Sequence, residues 1–273
     1  MGGTTAKAGV IHHGEALTTG SALIGGYERA LPIQIAMMDI FEVGTGGGSI
    51  ARIADEGGLR VGPQSAGAQP GPACYGQGGE HPTVTDANVV LGRLSPDRFL
   101  GGEMALDVAA AESAVDNKIG APLGLGTVEA AQGILRIAVT AMSHAVKAVT
   151  TERGLDAGDF AMVAYGGAGP LHACNIGREM GIRKIIIPRS PGHFSAFGML
   201  FSDLRYDHVR SRFMRLADAD FADIEAVYAE LAAEGLAEIE KASVAPERVV
   251  VSRGADMRYV GQEHAVTVDL SPD

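Results

Sequence analysis

Three short glycine-rich bends hold the residues best suited to chemistry in this chain: Gly2-Gly3-Thr4-Thr5, Gly44-Thr45-Gly46-Gly47-Gly48-Ser49 and Gly166-Gly167-Ala168-Gly169-Pro170. With few side chains in the way, a ligand can reach backbone N–H groups, and the hydroxyls of Thr4, Thr5, Thr45 and Ser49 add further donors, which suits phosphate or another oxyanion. Each bend also has a plain structural reading: an ordinary turn, a bulged hairpin and a close-packed strand-to-helix turn, respectively. The third bend lacks the Gly-Lys-Ser/Thr of a P-loop. It also lacks GxGxxG spacing, and no acidic residue follows about twenty positions on. Cys74, His81 and Asp86 lie close in sequence and offer soft, borderline and hard donor atoms suited to zinc or another divalent metal. Against this stand a buried structural cysteine, an exposed histidine, and a helix start that gives Asp86 a purely structural job. Adjacent His12 and His13 would point to opposite faces of a strand, which favours a solvated turn over a shared metal. His144 is read as a core or rim residue, with a catalytic role as the alternative.

The elements that must position these bends follow from periodicity. The apolar run 159–165 feeds the third bend, helical spacing follows at Leu171, Ile176 and Met180, and Gly181 stops that helix. Lys184-Ile185-Ile186-Ile187 then reads as a buried strand, completing a β-loop-α-β unit whose helix N-terminus faces the bend. Residues 38–43 read as a strand running into the triple glycine, with alternation resuming at Ser49, and residues 21–35 as short edge strands around Pro32. Residues 57–82, rich in Gly and Pro, read as one long ordered loop, a type that is usually functional beyond about 12 to 15 residues. Helices are expected from a cap at Thr85 or Asp86 to Gly92, over 108–118, and over 127–153 with a stripe of Ile134, Ala138, Ala141, Ala145 and Ala148. Residues 199–216 read as a half-exposed strand or an element leaving the core. An amphipathic helix over 221–243 and strands at 248–252, 257–260 and 265–270 complete the chain. No strand precedes the first bend and the chain stops just after a strand, so it is expected to be a piece of a larger unit.

Among 273 residues, 46% are hydrophobic, which supports a sizeable core, but 5% aromatic content and no tryptophan require it to be built from Ala, Val, Ile, Leu and Met. A formal charge of −11 without any basic run argues against a nucleic-acid surface. No stretch approaches the roughly 18 to 20 apolar residues of a membrane span. Two cysteines without a CxxC pattern suit a reducing compartment, so a cytoplasmic location is expected.

Four segments together resemble the hydantoinase A type subunit of the hydantoinase/5-oxoprolinase family, whose relatives include ATP-binding subunits of acetone and acetophenone carboxylases. They are Met1-Gly2-Gly3-Thr4-Thr5-Ala6-Lys7, Val43 through Ala51, Arg60 through Gly76 continuing from Pro82 to Asn88, and Val163 through Ala173. The resemblance spans essentially the whole chain. It implies an α/β protein, part of an actin-like (ribonuclease H-like) ATPase fold, with residues 1–205 as the second half of that domain and 206–273 as a C-terminal α+β segment. It further implies that Gly2, Gly3, Thr4 and Thr5 form a phosphate hairpin and that Gly166, Gly167, Ala168 and Gly169 form the nucleotide loop near adenosine. Gly46, Gly47, Gly48 and Ser49 would line the same cleft. ATP and magnesium are the implied cofactors, and a small cyclic amide or ketone the implied substrate. The implied partners are the N-terminal half of the same subunit and a hydantoinase B type subunit. The expected activity is ATP-dependent ring opening of a cyclic amide; a carboxylase portion and a non-catalytic assembly module are the alternatives. Two departures stand out: the family's acidic residue before Met1 has no counterpart, and Phe41 stands where a histidine is usual. The fragment alone is therefore expected to be inactive.

Overall fold

The small residues of one long helix set the architecture. The computed structural model describes residues 1–19, 22–24, 31–33, 37–242, 244–262 and 265–270. They fall into two units, Met1–Leu200 and Phe201–Asp273.

In the first unit, strand β1 (Ala6–Ala8) pairs antiparallel with β8 (Phe41–Val43). Between them lie three short pairs: β2 (Ile11–His12) with β3 (Glu15–Ala16), β4 (Thr18–Thr19) with β7 (Met37–Met38), and β5 (Ala22–Ile24) with β6 (Leu31–Ile33). Pro32 does lie in such a pair, opposite Leu23; residues 20, 21, 25–30 and 34–36 lie outside the described ones. β9 (Ser49–Ile53) and β10 (Leu59–Ser65) form an antiparallel hairpin whose register shifts between Val61 and Ser65, so the expected single loop over 57–82 contains a strand. The Gly and Pro residues that disguised it, Gly62 and Pro63, sit at that irregularity.

Helices α1 (Val84–Val90), α2 (Val108–Val115), α3 (Ala121–Leu123) and α4 (Thr127–Val149) follow. The expected helix at 108–118 continues as a π-turn over Asp116–Gly120, and Thr127 Oγ1 donates to Asp116 Oδ1 at 3.0 Å instead of capping its own helix. α4 buries Ala130, Ala131, Ile134, Leu135, Ala138, Val139, Met142, Ala145 and Ala148. That stripe is wider than expected, and Ala141 stands half-buried at its edge. Burying each larger aliphatic side chain contributes about 1.5–3 kcal/mol. Alanines at the remaining positions let neighbouring backbones come close, and at Gly133 an added Cβ would stand 3.3 Å from Leu59 Cδ2. The core around α4 thus gathers Val84, Ala87, Val115, Ile119 and Ile176 without an aromatic ring among its buried members.

β11 (Ala161–Val163), α5 (Gly169–Met180) and β12 (Lys184–Ile186) form the expected parallel β-loop-α-β unit. Ser143 Oγ donates to Glu179 Oε2 at 3.0 Å and ties α5 to α4. Ile185 lies over Gly177, where a Cβ would meet Ile185 Cδ1 at 2.8 Å. The strands are not buried as expected: Val163 is 42%, Ile186 46% and Ile187 50% exposed. An apolar run reports that a strand wants covering on both faces, and it does not reveal whether the same chain supplies the cover. Helix α6 (Phe194–Met199) ends the unit.

In the second unit, residues 203–215 belong to no strand or helix, so the half-exposed strand offered as one reading of 199–216 does not form there. α7 (Phe221–Lys241) starts on the Asp220 side chain, which accepts from the Ala222 amide. β13 (Arg253–Met257) pairs antiparallel with β14 (Val266–Leu270). The strands expected at 248–252 and 257–260 are instead one strand centred between them, with Gly254 inside it. Tyr228 Oη donates to Gly254 O at 2.8 Å, and the Arg253 guanidinium lies 5.3 Å from the Tyr228 ring centre. Among its described residues this unit has none that is fully buried.

Candidate functional site

The three glycine bends, far apart in sequence, meet. The Gly47 amide donates to Gly2 O at 3.0 Å and the Gly48 amide to Gly3 O at 2.7 Å. The Ala168 amide donates to Met1 O at 3.3 Å. A Cβ on Gly47 would reach Ala168 Cβ at 3.7 Å, and one on Gly166 would overlap the Met1 carbonyl. Close approach is the reason for glycine at these points; Gly166 also has φ +88°, which L side chains rarely adopt.

The bends differ in what their amides do. In the 44–49 bend, Thr45, Gly46, Gly47, Gly48 and Ser49 are all buried. The Gly46 amide donates to Ser49 Oγ at 2.8 Å, the Ser49 amide to Gly46 O at 3.1 Å, and the Gly47 and Gly48 amides to the first bend. This bend is a packed seam. Gly2, Gly3, Thr4 and Gly167 are exposed, Thr5, Gly166, Ala168 and Gly169 half-buried. Among the described residues the Gly3, Thr4 and Gly167 amides have no protein acceptor. Gly167 lies just before the N-terminus of α5, which has no side-chain cap and begins with Gly169 and Pro170, and Met1, whose carbonyl accepts from the Ala168 amide, leads from there into the first bend. Donors on exposed glycines beside the positive end of a helix dipole can hold an anion. The hydroxyls of Thr4 and Thr5 belong to the same bend. No carboxylate lies within these three bends, so their residues offer a magnesium ion only hydroxyl and carbonyl oxygens.

Behind the seam, Thr85 donates from both its amide and its Oγ1 to Gly47 O, each at 2.8 Å. The adjoining Asp86 caps α1 in partnership with Thr83, which is the N-cap; the expectation had placed the cap at Thr85 or Asp86 itself. The buried Asp86 carboxylate accepts from the Thr83 amide at 2.8 Å, Thr83 Oγ1 at 2.7 Å, the Cys74 amide at 2.8 Å and the Ala73 amide at 3.3 Å. It therefore joins α1 to the 73–75 turn and supports the bend above.

The metal site expected at Cys74, His81 and Asp86 is not assembled among the described residues. Asp86 already has four donors. Cys74 is fully buried and its thiol is pushed well above the ordinary range by burial and then by the Asp86 charge, whereas His81 is exposed. No group of three or more His, Cys, Asp or Glu among the described residues is placed to hold a metal. Cys74 and Cys174 are both free thiols.

His12 and His13 do form a turn, but the left-handed backbone at His13 (φ 52°) brings their rings 4.0 Å apart instead of to opposite faces. His144 is an exposed rim residue, its ring 6.2 Å from that of Phe41. The histidine that matters structurally is His172, one turn into α5: it is fully buried and both ring nitrogens lack a partner among the described residues. Burial, then the nearby Arg93 charge, lowers its pKa to about 4. Its i, i+4 relation to Ile176 was the available signal, since α5 buries His172, Ala173, Ile176 and Gly177 while Leu171 stays half-buried.

Two surface hollows, one lined by Ala73, Gly79, Glu80 and Lys118 and one by Tyr206, Glu238 and Lys241, touch none of the three bends. Among the described residues no helix is long and apolar enough to cross a membrane.

A family model described as hydantoinase/oxoprolinase matches residues 1–208. The caprolactamase subunit alpha of Pseudomonas jessenii is 40% identical over 245 residues, covering 88% of this chain and 35% of its own length. The acetophenone carboxylase gamma subunit of Aromatoleum aromaticum is 39% identical over 246 residues, covering 84% of this chain and 32% of its own. A crystal structure of an ATP-dependent caprolactamase from Pseudomonas jessenii superposes with a TM-score of 0.81 at 36% identity, over 100% of this chain and 39% of that chain. The chain thus spans between 32% and 39% of the length of these relatives.

Proposed function

The chain belongs to the hydantoinase/oxoprolinase family, and from that membership and its geometry we propose that it is the ATP-handling part of an ATP-dependent cyclic-amide hydrolase. The observation that carries this reading is the meeting of the 2–5, 44–49 and 166–169 bends, with the amides of three exposed residues, Gly3, Thr4 and Gly167, lacking a protein acceptor among the described residues. In this reading the 2–5 bend and the α5 N-terminus hold the phosphates, and the 44–49 seam fixes the first bend in place. A magnesium ion would be held chiefly by phosphate oxygens and water, and would neutralise charge during transfer. The terminal phosphoryl group passes to the amide carbonyl oxygen, leaving ADP. One water then adds to the activated carbon and the C–N bond breaks, the nitrogen leaving as a protonated amine and an acyl phosphate remaining; a second water hydrolyses the acyl phosphate to the carboxylate and phosphate. Backbone donors stabilise the phosphoryl charge as it shifts.

The wider assembly belongs to the same proposal. Residues 1–205 serve as one half of an actin-like ATPase domain, and residues 206–273 as a following α+β segment. The exposed faces of β11 and β12 receive a further part of a longer subunit, since a parallel pair is normally covered on both faces. A hydantoinase B type subunit supplies the rest of the substrate site, in the reducing cytoplasm that suits two free thiols. A ketone-carboxylase portion is the second reading, favoured by the near-equal identity to the acetophenone carboxylase subunit.

Titration calorimetry of the 273-residue chain with ATP, then phosphate release with the remaining segments of a full-length relative and its partner added, tests the proposal. ATP binding by the chain with turnover only in the completed assembly is expected. Absence of ATP binding both alone and in the assembly overturns it. Comparison of caprolactam, 5-oxoproline and acetophenone as substrates separates hydrolase from carboxylase.

A further inference from the structure

The loop after β12 lies at the same end of the parallel pair as the 166–169 bend, because both follow the carboxyl ends of strands that run side by side. In open α/β sheets that edge is where ligands bind. The two loops are bonded directly: the Gly166 amide donates to Pro191 O at 2.8 Å. This contact brings aromatic rings beside the bend. Tyr165 lies 5.2 Å from Phe194, and Phe194 stacks with Phe197 at 6.4 Å and 24° between planes. Tyr165 is 42% and Phe197 55% exposed. In a chain with eight phenylalanines, six tyrosines and no tryptophan, three rings on one short stretch of surface are a concentration that the core does not explain. At the edge of the rings, Ser190 Oγ lies 3.2 Å from His193 Nδ1, and both residues are exposed.

We propose that Tyr165, Phe194 and Phe197 form a stacking shelf for the planar base of the nucleotide, with Ser190 and His193 as its polar edge, so that this loop selects a nucleoside triphosphate over bare polyphosphate. The inference rests on the ATP-binding reading above. The bend alone offers N–H donors to phosphate and nothing to a base, whereas an exposed aromatic face joined to that bend supplies the missing complement. Base–aromatic stacking depends on the ring face and tolerates loss of the phenolic hydroxyl.

Titration calorimetry with ATP and with inorganic tripolyphosphate, on the whole chain and three variants, tests it. Tyr165→Ala and Tyr165→Leu are expected to weaken ATP binding about tenfold while leaving tripolyphosphate unchanged, and Tyr165→Phe is expected to bind both like the parent. The leucine variant keeps apolar bulk without a ring face, so its behaviour separates stacking from loss of packing, and far-UV circular dichroism checks folding. Unchanged ATP affinity in Tyr165→Leu, or an equal loss for both ligands, overturns the shelf while the ATP-binding reading stands. A parent chain that binds neither ligand removes that reading and the shelf with it. A parent that binds both equally removes the shelf alone.

Discussion

The 44–49 and 166–169 bends are both rich in glycine and have opposite surroundings. In the first, Gly46, Gly47 and Gly48 are buried and their amides are bonded within the protein. In the second, among the described residues, the exposed Gly167 has an amide with no protein acceptor and only Gly166 would overlap another backbone. Glycine is used in one place because a neighbouring chain must come close, and in the other, on the proposed function, because a ligand would. The contrast shows that a run of glycines announces close approach without naming what approaches.

The largest effect is expected beneath the packed bend. Asp86→Ala removes the acceptor of four hydrogen bonds and leaves the Ala73, Cys74 and Thr83 amides buried without a partner. A loss of about 4 kcal/mol is expected, measured as the shift of the urea unfolding midpoint. A loss below about 1 kcal/mol would mean that the seam does not depend on this carboxylate. Gly46→Ala comes next, because its Cβ would overlap the Gly3 carbonyl and the Thr4 amide. About 3 kcal/mol of stability should go, along with ATP binding, as the first bend is pushed off the seam. If Gly46→Ala melts like the parent, the seam is looser than its burial implies.

The helix behind the exposed bend can be read through pH. His172 has a pKa of about 4 when folded, below the ordinary value of 6.5, because burial disfavours the charged ring. Its neutral form is therefore fully compatible with folding above about pH 6.5. As pH falls the unfolded chain takes up the proton first, so stability is lost between about 6.5 and 4 and the loss levels off below. The size of this contribution is about 3 kcal/mol. Subtracting the pH profile of His172→Leu from that of the parent isolates it; parallel profiles would show that the ring finds a proton acceptor as the protein breathes.

Much of this arrangement was legible in the sequence. The β-loop-α-β unit, the α4 helix and the three bends follow from periodicity and glycine placement, because those signals are local. What escaped depends on contacts between distant segments. Gly62 and Pro63 look like loop residues, yet they sit in β10, where a Cβ on Gly62 would stand 2.6 Å from Gly44 O. Cys74, His81 and Asp86 lie within a short stretch and carry metal-ligand donor atoms. Whether a carboxylate faces a metal or four donors is decided by how the 73–75 turn folds back on α1, which spacing does not encode. Similarly, the apolar runs at β11 and β12 state a need for cover, and the exposure of Val163 and Ile187 shows that the need is not met within these residues.

The smallest structural effect sharpens the contrast most. At Gly167 an added Cβ would find nothing within 4 Å, and the backbone is not in the left-handed region that favours glycine. Gly167→Ala should therefore change stability by no more than about 0.5 kcal/mol, since neither overlap nor strain opposes it. The same methyl group would stand at an exposed residue of the bend, where the proposed function puts a phosphate beside the amide, so ATP affinity should fall about fivefold. Urea unfolding and calorimetry on one preparation give both numbers. A clear loss of stability would mean that this bend is packed like the 44–49 bend, and the two would then share one duty. Unchanged stability with unchanged affinity would place the phosphates elsewhere, because an amide that accepts a methyl group beside it without consequence is not within contact distance of a ligand.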